Sequence, residues 1–122
     1  MRLLEGSDTR VKFHITEKQY TNGVLTGETD VDLTQYDEVT LSIKFFDGIK
    51  EFEGTIDNWQ GGEGTAYVIF DILSEDTKDK CGKIQAEIWG TKGQAQKNRL
   101  NTETIEGEVL HSFNIPQCIV ND

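Results

Sequence analysis

Proline is nearly absent from this sequence, with a single residue among 122, and cysteine is limited to Cys81 and Cys118. The two cysteines have no close spacing and no secretory signal precedes them, so two reduced thiols are expected, although an oxidising compartment would let them pair. Long hydrophobic runs are missing as well. The opening MRLLEGSDTR has only two consecutive leucines, short of the apolar region of about 7 residues or more that a signal peptide needs. Nothing approaches the about 18 apolar residues of a membrane span, so synthesis and first folding in a cytoplasm are expected, with no membrane partner. Basic charge is scarce: 12 Lys and Arg face 22 Asp and Glu, for a formal net charge of −10. Nucleic acid and anionic lipid call for a basic stripe, so no nucleic acid is expected as a partner either. The acidic balance reads first as a solubility device.

What is present is alternation. In VDLTQYDEVTLSIKFFDGIKEFEG, residues 31–54, Val39, Leu41, Ile43 and Phe45 fall on one side of a period-two strand and Thr40, Ser42 and Lys44 on the other. Asp47-Gly48 suits a tight reversal, and a return strand is expected over Ile49–Ile56, peripheral and bulged because Glu51, Glu53 and Gly54 surround Phe52. RVKFHIT places Val11, Phe13 and Ile15 on one face, and KQYTNGVLTG carries a turn at Asn22-Gly23. TAYVIFDIL reads as a strand buried on both faces, with Ala66, Val68, Phe70 and Ile72 on one and Tyr67 and Ile69 on the other. SEDTKDKCG is a polar loop with a single helical turn that Ser74 would cap. KIQAEIWG sets Ile84, Ala86 and Ile88 against Gln85, Glu87 and Trp89. EVLHSFNIP closes the pattern with Val109, His111, Phe113 and Ile115, and AQKNRLNTETIEGE is left without an assignment. No stretch shows a helical period over about 11 residues.

Seven or eight short strands with turn signals at this spacing indicate an all-β, immunoglobulin-like antiparallel β-sandwich. The 35% hydrophobic content is too high for disorder, and the length suits a single domain over residues 1–122 with one core. Residues 1–9 are a candidate flexible N-terminal arm.

The search for chemistry points away from an enzyme. His14 falls on a polar strand face and His111 on an apolar one, with no local nucleophile signature beside either. Asp76 and Glu87 stand at the first and twelfth places of a calcium-loop spacing, but Lys78 and Lys80 occupy the third and fifth ligand places and would repel the ion. The set Asp30, Asp32, Asp37 and Asp47 lacks ligand spacing and reads as turn chemistry. GGEG, residues 61–64, precedes a strand where a phosphate loop needs a helix. Catalytic, metal and cofactor-binding residues are therefore expected to be none. Trp59, Glu63 and Trp89 are the candidate interface residues, because an exposed tryptophan can anchor a protein contact or stack on a sugar. The alternative is that Trp59 folds over the end of the core and Trp89 packs beneath a loop.

The order VDLTQYDEVTLSIKFFDG, GTAYVIFDIL, CGKIQAEIWGTKG and HSFNIP resembles the amino-terminal domain of phage baseplate upper proteins. Asp32-Leu33 and Asp47-Gly48 match a pair that precedes a long strand and the turn that ends it. Gly82 matches the glycine that opens a returning strand. The resemblance covers about Asp30 to Pro116. It implies an immunoglobulin-like sandwich that serves as a non-enzymatic structural module of the virion, present in multiple copies and docked on major capsid, baseplate or fibre proteins. Related small sandwiches decorate capsids or anchor head fibres. The family pattern continues into a helical, fibre-holding region, and here the sequence ends at Asp122, which favours capsid decoration as much as a baseplate arm. A ligand-binding sandwich such as a carbohydrate-binding module is the other function these features allow.

Overall fold

A computed structural model describes residues 1–93, 96–101 and 103–110. These residues form an all-β protein of eleven strands, with one 3-10 turn at Leu33–Gln35 and one helical turn at Ser74–Thr77. No helix among them is long and apolar enough to cross a membrane. The strands are β1 (Arg2–Leu4), β2 (Thr9–His14), β3 (Thr16–Thr21), β4 (Val24–Asp30), β5 (Glu38–Phe45), β6 (Gly48–Glu53), β7 (Thr55–Ile56), β8 (Tyr67–Ile72), β9 (Gly82–Lys92), β10 (Gln96–Arg99) and β11 (Ile105–Leu110). One sheet runs β1-β11-β9-β5-β6 with β10 also on β9; a second runs β2-β8-β7; β3 and β4 pair only with each other.

The expected count of seven or eight strands is too low, because the chain changes sheets within runs that look continuous. The return strand read as Ile49–Ile56 breaks at Gly54: β6 stays on the first sheet and β7 joins β8 on the second. The Gly54 N–H donates to the Val39 carbonyl at 2.8 Å. A Cβ at Gly54 would lie 2.5 Å from Val68 and 2.6 Å from Phe70, so the corner forms only where the residue has no side chain. The one unassigned stretch holds β10 and the first four residues of β11.

The core lies between the two sheets. Leu41, Ile43, Ile84, Ala86 and Ile88 from the first meet Val68, Phe70 and Ile72 from the second in one buried cluster. Phe13 of β2 meets the Phe70 ring edge-on at 6.0 Å. Within β5 the alternation places Val39, Leu41, Ile43 and Phe45 inward, as expected. The outward side of β8 is less covered than expected: Tyr67 and Ile69 are half-buried and Asp71 is exposed. His111, Phe113 and Ile115 lie outside the described residues.

Two turn expectations, the N-terminal arm and the state of Cys81 need correction. The β5–β6 hairpin pairs Phe45 with Gly48, so Phe46 and Asp47 form its tip and Gly48 (φ 147°) opens β6. Ser74 is the first residue of its helical turn rather than the cap; its N–H donates to Asp8 Oδ1 at 2.7 Å, and the Leu73 N–H donates to Asp76 Oδ2 at 2.8 Å. Residues 1–9 are not a loose arm, since β1 pairs in parallel with β11, Leu3 is buried, and the Gly6 N–H donates to Thr77 Oγ1 at 3.0 Å. Cys81 is disulfide-bonded, against the expectation of reduced thiols, while Cys118 lies outside the described residues.

Two strands differ from the rest in what they bury. β3 and β4 expose nearly every residue on both faces, because TEKQYT and VLTGETD carry no apolar row for a core to take. Asn22 (φ 53°) and Gly23 (φ 80°) both sit in left-handed conformations at the tip, as a tight two-residue hairpin turn requires. A register shift near Gln19 and Tyr20 twists the ribbon. In the larger sheet, β6 is an edge strand on which Lys50 shares the inner face with Phe52 and pairs with the buried Asp76. An inward-pointing charge on an edge discourages the addition of a further strand.

Candidate functional site

The loop between β7 and β8, residues 57–66, is organised by Asp57, which is only 3% exposed. Its Oδ2 accepts from the Glu63 backbone N–H at 3.0 Å and from the Lys12 ammonium at 3.2 Å. The Trp59 side chain also favours the charged carboxylate. The Asp57 carbonyl accepts from Gly64 N–H, and the Trp59 carbonyl from Gly62 N–H. These donors, the Glu63 amide foremost, hold the Asp57 carboxyl below its ordinary range.

The sign of the resulting pH dependence follows. A group whose pKa is lowered by folding contributes stability that is fully present above its unfolded value, about 3.9, and is lost as pH falls through the folded value. Denaturation midpoints measured from about pH 6 downward should fall steeply in the acid range. Asp57→Asn should start from a lower midpoint and lose part of that slope. An unchanged slope would mean that another carboxylate governs acid unfolding.

Trp59 and Glu63 therefore share one loop, tied together through Asp57. The Trp59 ring lies against Gly61 and is 66% exposed, so it does not fold over the core. The Glu63 carboxylate pairs with Lys12 at 3.2 Å. Trp89 is elsewhere, on the outer face of β9, opposite Thr40 of β5 and Arg99 of β10. The Lys97 ammonium of β10 sits 4.8 Å above its ring, so a strand-borne cation covers it where a loop was expected. No hydrogen bond, ion pair or ring contact joins Trp89 to the Trp59 loop among the described residues.

Beside that loop is a shallow cleft of about 280 Å³ lined by Tyr36, Asp37, Glu38, Glu53, Thr55 and Asn58, among others. The acids singled out from the sequence serve local structure. Asp32 accepts from Thr34 N–H at 3.0 Å, Asp37 from Gly93 N–H at 2.7 Å, and Asp47 pairs with Lys80. Asp76 is committed to Lys50 and the helical turn. Among the described residues no group of three or more His, Cys, Asp or Glu side chains could hold a metal. His14 lies on the outer face of β2, stacked on Tyr67 at 4.3 Å with Nε2 2.7 Å from Asp30 Oδ1. His111 lies outside the described residues.

The feature missed by the sequence reading is the β3–β4 ribbon as a free-standing arm. Its tip exposes Tyr20 (61%), Val24 (65%) and Leu25 (49%). Tyr20 faces Leu25 across the strands, and Val24 points to the other side. The base is fixed by the His14–Asp30 contact and by a hydrogen bond from Val31 N–H to the Ile15 carbonyl at 3.1 Å. The signal was available: two strands flank an Asn-Gly turn, yet neither face is apolar along its length. No protein-family model matches the chain, and none of the curated proteins does.

Proposed function

We propose that this protein is a non-enzymatic assembly module of a bacteriophage particle. In this reading it is an immunoglobulin-like β-sandwich that docks in many copies on capsid, baseplate or fibre proteins. The observation that carries the assembly role is the β3–β4 arm, which places Tyr20, Val24 and Leu25 in solvent and leaves both faces without a covering element. Exposed apolar side chains on an ordered projection serve a contact with another protein better than they serve the fold. The virion setting rests on the resemblance of residues 30–116 to baseplate upper domains. Many weak contacts on a particle add up to stable occupancy even where each is modest.

Intact particles, banded on a density gradient and counted for this chain, test the reading. The protein should band with particles at a fixed copy number, and Tyr20→Ser and Val24→Ser on the arm should lower that number while the free domain keeps its denaturation midpoint. A chain that never bands with particles at any salt concentration, yet binds a soluble ligand tightly, refutes it.

One observation favours a second reading, a carbohydrate-binding module. Trp59 follows Asn58, which lines the cleft that also holds Tyr36 and the carboxylates of Asp37, Glu38 and Glu53. An exposed aromatic ring beside carboxylates and an amide suits a sugar, whose apolar face stacks and whose hydroxyls bond. Glycan binding that Trp59→Ala abolishes would favour it.

A further inference from the structure

The geometry points to head-to-tail self-association, in which the arm of one copy seats on a shelf at the β5–β6 hairpin of the next. The shelf is another exposed apolar area among the described residues. Phe46 is exposed at the hairpin tip, and Ile49 is exposed on the outer face of β6. Strand register sets Ile49, Lys44 and Gln85 in a row across β6, β5 and β9. A cleft of about 250 Å³ opens there between Lys44, Phe46, Lys83 and Gln85.

Charge selects the occupant. Among the described residues, neither Lys44 nor Lys83 has a carboxylate within ion-pair distance, although acids outnumber bases 22 to 12. The arm supplies the complement. Its seven tip residues, 20–26, are uncharged and include its three exposed apolar side chains, while Glu17 and Glu28 outnumber Lys18 on its stem and Asp30 is held by His14 at the base. An apolar tip with acids on its stem matches an apolar shelf whose cleft carries Lys44 and Lys83 and no acid in its lining, Glu106 and Glu108 standing one strand farther out. A second copy brings both surfaces.

The two surfaces differ, so the contact is heterologous: a joined pair keeps one arm and one shelf free, and copies add into rows or rings rather than closing as a symmetric pair. Three tip side chains fall short of the about 800 Å² per partner of a standard stable complex, and the net charge of −10 opposes approach of free copies. The contact is therefore weak between two copies in solution and strengthens where copies are held side by side. This inference goes beyond the particle reading, and purified protein alone tests it.

Sedimentation velocity of the full chain, at a salt near 0.15 M where the Debye length is about 8 Å, should show a weight-average coefficient that climbs with concentration without levelling at a dimer. Leu25→Asp on the arm and Phe46→Asp on the shelf should each hold the protein as a monomer over the same range, with denaturation midpoints close to wild type. Mixed one to one, the two variants retain one intact shelf and one intact arm between them and should form a dimer that grows no further. Tyr20→Ser repeats the arm test if Leu25→Asp fails to fold. Wild-type protein that stays monomeric up to its solubility limit overturns the inference. So does association that survives either variant, and so does a mixture that remains monomeric, which would mark a symmetric contact.

Discussion

Ile43→Ala should lower the unfolding free energy by about 2–5 kcal/mol, the range for removing a large aliphatic side chain from a packed interior. Ile43 is 0% exposed at the middle of β5, paired with Lys50 on one side and Ala86 on the other. Its neighbours across the core are strand side chains held by ladders on both sheets, so the space left by the missing atoms cannot collapse easily, which favours the upper part of the range. Urea denaturation followed by tryptophan fluorescence and circular dichroism would measure it. A loss below about 1 kcal/mol would mean that this face is not packed as described.

The second large effect belongs to Gly54. Gly54→Leu should cost about 3 kcal/mol or more, beyond ordinary overpacking at about 1–3 kcal/mol. The Cβ alone lands 2.5 Å from Val68 and 2.6 Å from Phe70, and both of those side chains are fully buried with nowhere to move. The branch atoms of leucine would have to displace Phe70 or open the corner between β6 and β7. Gly54→Ala should follow the same direction with a smaller loss. If both variants unfold at the wild-type denaturant concentration, the chain does not turn from one sheet to the other at this residue.

Much of the all-β fold could be read directly from side-chain period. Val39 to Phe45 and Ile84 to Ile88 alternate cleanly, and both lie on central strands of the larger sheet, where one face must be buried. The corner at Gly54 could not be read, because what forbids a side chain there is Val68 and Phe70, which reach it only after the sheets pack. β1 escaped notice because three residues carry no period. The shift of the hairpin tip to Phe46-Asp47 reflects pairing of Phe45 with Gly48, a register that local turn preference does not decide. Of the candidate interface residues, Trp59 and Glu63 were picked out through a glycine-rich loop, but the Asp57 carboxylate that joins them was not, since a buried acid held by the amide six residues on and by Lys12 forty-five residues back leaves no pattern. The arm was visible as a turn and invisible as a projection, because a missing apolar row is easy to pass over.

The pairing of β1 with β11 has a consequence for how the protein is made. Residues 2–4 lie beside 108–110, at opposite ends of the described chain. On a ribosome, β1 emerges ahead of β2 to β10 and has no partner until β11 has been synthesised. Long-range pairings of this kind slow folding, because the chain must close a large loop before the contact repays it. Leu3, buried in the finished protein, waits in solvent meanwhile, and the larger sheet gains its last strand only after β11 leaves the exit tunnel.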